Sequence, residues 1–104
     1  MRFTTTLVAF AMASFASAAL HKAGVCVDTI GGQTVYNDDV TRKACDGYKA
    51  RNTGTDHWST CPDCVMVSNT FLCLPVCNSD AGHIGGDELN HYCTKFGARG
   101  SLAD

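Results

Sequence analysis

The sequence predicts a small α+β domain stapled by disulfides, with two β-hairpins and two short helices in the order ββαββα. Three observations predict it: paired β-branched runs broken at turn residues, two stretches with helical apolar spacing, and seven cysteines in a chain of 104 residues. A domain of this size cannot rest on its apolar core alone, so covalent staples, a metal or a partner must supplement it. At 45% hydrophobic and 17% charged residues, intrinsic disorder is excluded.

The first residues stand apart from the domain. Arg2 supplies a positive start, Leu7 to Phe15 an apolar stretch, and Ala16-Ser17-Ala18 a small-x-small cleavage signal. That pattern reads as a secretory signal peptide over residues 1–18, followed by one cysteine-rich domain over residues 19–104. The apolar stretch is short of the roughly 20 residues that a membrane span needs. The expected product is secreted and extracellular, without stable membrane insertion.

The elements then follow in order. Val25 to Ile30 alternate and are rich in β-branched residues, Gly31-Gly32 is a two-residue turn signal, and Gln33 to Tyr36 continue the pattern, giving a hairpin. Asn37-Asp38-Asp39 offers an N-cap and first-turn carboxylates, and Val40, Ala44 and Tyr48 recur at i, i+4 and i+8. A helix from about Asp39 to Arg51 results, with Gly47 a mild weakness. Residues 52–56 form a loop. Val65 to Val67 and Phe71 to Leu74 predict a second hairpin, whose later strand Pro75 places at an edge or at its end. Asp87 to Phe96 is the clearest helix, with Leu89, Tyr92, Cys93 and Phe96 on one stripe, acids in its first turn and Gly97 as its stop. Trp58 is the expected core anchor.

Export decides how the cysteines are read, because disulfides persist in an oxidising compartment. The candidates are Cys26, Cys45, Cys61, Cys64, Cys73, Cys77 and Cys93. An odd number leaves one unpaired, and the sequence does not choose the pairing. The extra thiol could be buried, reactive, or the link of a dimer. Cys45 and Cys93 fall on the inner faces of their helices, so each helix is expected to be stapled to a strand or loop.

Several short patterns suggest chemistry. Cys61-Pro62-Asp63-Cys64 has the spacing of a thioredoxin-type centre, but a strand signal follows it where that chemistry wants a helix, so both cysteines are expected to pair with distant partners. With Cys73 and Cys77 the same pair has zinc-knuckle spacing, which export disfavours. His57, Glu88, His91 and Arg99 supply the residue types of a ribonuclease or hydrolase, yet no spacing gathers them and no nucleophile motif is present. No catalytic residue, metal or cofactor is therefore assigned. Arg42, Lys43, Lys49 and Arg51 make a basic helix face, read as solvated. The net charge of −2 gives no reason to expect nucleic acid as a partner. Gly85-Gly86-Asp87-Glu88-Leu89 resembles the signature of bacterial cyclic-dinucleotide synthases, but the chain is far shorter than that domain, and a helix start explains the residues.

The Ala-rich leader, short mature chain and dense cysteines resemble small secreted cysteine-rich proteins of filamentous fungi. Val-Tyr-Asn-Asp (residues 35–38), Arg-Asn-Thr-Gly (51–54), Cys-Pro-Asp-Cys (61–64) and His-Ile-Gly-Gly-Asp-Glu (83–88) look like biotrophy-associated secreted proteins of blast fungi. The resemblance implies a non-catalytic effector that binds a plant host protein or cell-surface component and interferes with immunity. It implies no site residue. The alternatives are an antimicrobial or killer-type toxin, against which the negative charge counts, and a small secreted ribonuclease or hydrolase.

Overall fold

The computed structural model describes residues 20–69 and 74–103, so the expected signal peptide lies outside the described residues, as do Phe71, Leu72 and Cys73 of the expected second hairpin. The architecture is α+β. In chain order the elements are β1 (Leu20–His21), β2 (Ala23–Ile30), β3 (Gln33–Tyr36), α1 (Asp38–Ala50), a 3₁₀ turn (His57–Ser59), β4 (Val65–Asn69), β5 (Leu74–Asn78), β6 (Ile84–Gly85), α2 (Gly86–Lys95) and β7 (Gly100–Ala103).

Strand β2 organises the main sheet. Its second half pairs with β3, Val27 opposite Tyr36 and Ile30 opposite Gln33, across the Gly31-Gly32 turn. Both glycines have positive φ, 58° and 79°, the backbone that a two-residue hairpin turn with the right twist requires. Its first residues pair with β5, and residues 24–27 also pair with β7. Strand β4 completes the sheet by pairing with β5.

Helix α1 begins where the sequence places it. Asn37 is the N-cap, its side chain accepting from the Val40 N–H at 3.0 Å and donating to Asp28 at 2.8 Å. Thr41 ties the helix to the sheet: its hydroxyl accepts the Cys26 N–H at 2.8 Å and donates to the Asn37 carbonyl at 2.7 Å. Helix α2 carries Asp87 and Glu88 in its first turn and Lys95 in its last, and Gly97 leaves it at φ 109°.

The two helices pack on each other and on one face of the sheet. Gly47 is the point of closest approach, since a Cβ there would lie 3.1 Å from both the Phe96 and Tyr92 rings. What reads as a weakness within one helix is thus the condition for its contact with the other. Val40, Ala44, Tyr48, Ile84, Leu89 and Cys93 fill the core between these layers.

Three expectations need correction. Trp58 is 38% exposed and Tyr48 is wholly buried, so Tyr48 is the aromatic anchor; Trp58 sits on the short 3₁₀ turn at the surface and contributes its backbone carbonyl instead. The later strand of the second hairpin does not end at Pro75 but runs from Leu74 to Asn78, with Pro75 opposite Ser68. A proline is tolerated there because β2 reaches only Cys77 and Asn78 of this strand. Strands β1, β6 and β7 are additions to the expected order. β1 and β6 pair only Leu20 with Gly85 and His21 with Ile84.

Candidate functional site

The most concentrated chemistry lies where the C-x-x-C turn, the 3₁₀ turn and the loop before β6 meet. The Cys64 N–H donates to the Cys61 carbonyl at 3.1 Å, a tight turn that brings the two side chains together. Asp63, within that turn, accepts from the Ser79 hydroxyl at 2.7 Å and from the Ala81 N–H at 2.9 Å. Partial desolvation works to raise its pKa, but these hydrogen bonds and the nearby His83 outweigh it and hold the carboxyl below its ordinary value.

The loop so anchored carries His83, which meets His57 of the 3₁₀ turn. The His57 and His83 rings stack with centroids 3.9 Å apart. His57 Nε2 lies 2.9 Å from the Ala81 carbonyl and His83 Nδ1 2.8 Å from the His57 carbonyl. A carbonyl only accepts, so each of these nitrogens carries the proton. Behind them, the buried Tyr48 hydroxyl donates toward the Trp58 carbonyl, lies 3.1 Å from the His83 carbonyl and accepts the Gly85 N–H at 3.2 Å. Burial is the largest cause of the raised pKa of this phenol, so it stays neutral.

This arrangement is a polar clamp without the order of a nucleophilic site. Ser79 is fully buried, its proton goes to Asp63, and it accepts the backbone N–H of His83 at 3.0 Å rather than meeting an imidazole. Of the four residues with nuclease chemistry, His57 joins the clamp, and Glu88 flanks Gly85, where a Cβ would run into its carboxylate. His91 turns its ring edge-on to Tyr92, 5.1 Å away, and Arg99 takes up a backbone position beside Val27 and Asp28. The basic face of α1 is partly neutralised, Arg42 by Asp38 at 3.1 Å and Lys43 by Asp39 at 3.3 Å. The Asp63 to Ser79 link and the histidine stack were invisible in the sequence, since nothing local marks contacts across 16 or 26 residues.

Three disulfides run through this region and the core. Cys26–Cys93 joins β2 to α2, and Cys45–Cys77 joins α1 to β5, so each helix is stapled to a strand. Cys61–Cys64 closes on itself, contrary to the expectation that both would reach distant partners; the tight turn sets their Cα atoms 5.3 Å apart, within bridging range. Six of the seven cysteines are thereby used, and Cys73 lies outside the described residues. Loop-closure entropy ranks the bridges by their separations of 67, 32 and 3 residues. The corresponding stabilisations are about 4, 4 and 1.5 kcal/mol. The last bridge is a weak staple.

A family model described as biotrophy-associated secreted protein 4 matches residues 19–101. The chain belongs to that family. Neither a curated protein nor a solved structure matches it. The biotrophy-associated secreted protein 4 match spans β1 to β6, both helices and the first half of β7, including all three bridges and the polar clamp. It makes the chain a member of a family of secreted proteins, in agreement with the resemblance its motifs carry.

Proposed function

We propose that this protein is a secreted, non-catalytic effector that binds a host component, a plant protein or cell-surface structure, and interferes with immunity. The observation that carries the reading is membership of a biotrophy-associated secreted family over residues 19–101. The match begins at the residue after the expected cleavage point, which supports export through the leader. Two bridges that tie both helices to the sheet suit a small domain that must survive outside the cell.

The test is a deletion strain of the producing organism on its living host, scored for colonisation and for the host's oxidative burst. Reduced colonisation and a stronger burst are expected, both restored by the native gene and not by one lacking residues 1–18. A deletion strain that colonises as its parent does, with an unchanged burst, overturns the proposal.

A further inference from the structure

The weak Cys61–Cys64 bridge lies against the Cys45–Cys77 bridge. The sulfurs of Cys45, Cys64 and Cys77 are all within 4.8 Å of one another, and all three residues are buried. Tetrahedral zinc with Zn–S bonds of about 2.3 Å holds its sulfurs about 3.8 Å apart; Cys64 lies within reach of that spacing from the other two, whereas Cys45 and Cys77, bonded at 2.11 Å, must part by about 1.7 Å once reduced. Cys61 is bonded to Cys64 and needs only to swing away from it to become the fourth. The Cys61-Pro62-Asp63-Cys64 turn, with its Cys64 N–H to Cys61 carbonyl bond, presents two sulfurs from one loop as zinc knuckles do. Helix α1 and strand β5 each contribute one more. Asp63 is turned to Ser79 and Ala81, which leaves the ligand set to sulfur.

We propose that, under reducing conditions, Cys45, Cys61, Cys64 and Cys77 bind one zinc ion as a four-thiolate site. Each bridge is opened by two small thiols, which supply two electrons and two protons and depart as their own disulfide. Zinc then replaces the four thiol protons, which pass to solvent, leaving a centre of net charge −2. The metal ties α1 to β5, as Cys45–Cys77 does in the oxidised chain, and adds the C-x-x-C turn, which its own bridge leaves unlinked to either. The fold thereby has a second way of holding α1 to β5 where Cys26–Cys93 is also reduced. This site differs from the zinc knuckle suggested by sequence spacing, because Cys45 of α1 takes the place of Cys73. The proposal does not depend on the host role above.

The test uses the secreted chain, reduced anaerobically with a phosphine and titrated with cobalt(II), then zinc. The expected result is an intense thiolate-to-cobalt charge-transfer band with tetrahedral visible bands, saturating at one equivalent and bleached by one equivalent of zinc. Native mass spectrometry should show one zinc per chain, carried in place of two protons at each charge state. Circular dichroism should show zinc restoring secondary structure to the reduced chain. Cys45→Ser and Cys64→Ser should weaken binding at least tenfold, whereas Cys73→Ser and the double variant Cys26→Ser/Cys93→Ser should bind as the parent does. A reduced chain that gives no charge-transfer band overturns the proposal, as does binding that survives Cys45→Ser and is lost in Cys73→Ser.

Discussion

Replacing Tyr48 with Phe removes one oxygen from the centre of the fold and nothing else. The ring stays stacked on Tyr92, 5.5 Å between centroids, so packing between the helices is retained. What is lost is the acceptor for the buried Gly85 N–H, at 3.2 Å, and the donor for the Trp58 carbonyl, with the His83 carbonyl 3.1 Å away. A buried donor left unsatisfied costs about 1–3 kcal/mol, and the lost bond to a carbonyl about 1 kcal/mol more. The sum, about 2–4 kcal/mol, is a large part of the stability of so small a domain. At roughly 4–8 °C per kcal/mol for this size, the midpoint should fall on the order of 10–30 °C. Thermal unfolding of parent and variant, followed by circular dichroism with the disulfides intact, measures it. A loss below about 3 °C would refute the reasoning, because Gly85 and the two carbonyls would then have other partners.

Asn37→Ala should destabilise by about 1 kcal/mol through loss of the α1 cap, read as an earlier denaturation midpoint at unchanged slope. Gly24→Val should cost more, about 1–3 kcal/mol, because a side chain there runs into Leu89 and approaches the Leu102 carbonyl; the same melt, with retained far-ultraviolet signal, checks it. Asp63 has a folded pKa held below its ordinary 3.8, so its ionised form stabilises the fold above that pH, and the contribution is lost as pH falls through the folded value. Midpoints measured from pH 6 to pH 2 should therefore decline below about pH 4, and more shallowly in Asp63→Asn than in the parent.

Local signals made the first half of the fold legible. The Gly31-Gly32 hairpin and the Asn37 cap are written in adjacent residues, because a positive φ and a capping side chain are demands of a few bonds on a few atoms. The stripe of Leu89, Tyr92 and Cys93 likewise announces its buried face. β1, β6 and β7 were not legible, being only two to four residues long; β7 exists because β2 offers it a partner, and β1 and β6 because each pairs with the other. The choice of Tyr48 over Trp58 as anchor also belongs to tertiary structure, since size alone favours Trp and only the crossing of the helices decides which ring is enclosed. At the candidate site, the C-x-x-C spacing was visible while its pairing was not. Whether Cys61 and Cys64 meet each other or a distant sulfur depends on the turn geometry and on which partners α1 and β5 already hold.

The self-closed Cys61–Cys64 bridge, set against Cys45–Cys77, carries the account of both the scaffold and its cysteine cluster. A non-reducing peptide map of the secreted protein tests it most directly, after alkylation of free thiols. Cleavage before Asp63 and after Phe71 and Leu74 separates Cys61, Cys64, Cys73 and Cys77 into distinct fragments. The account predicts linked fragments for Cys26 with Cys93, Cys45 with Cys77 and Cys61 with Cys64, and alkylation at Cys73. A linked fragment that contains Cys73, or one that joins Cys61 or Cys64 to Cys45 or Cys77, would contradict it.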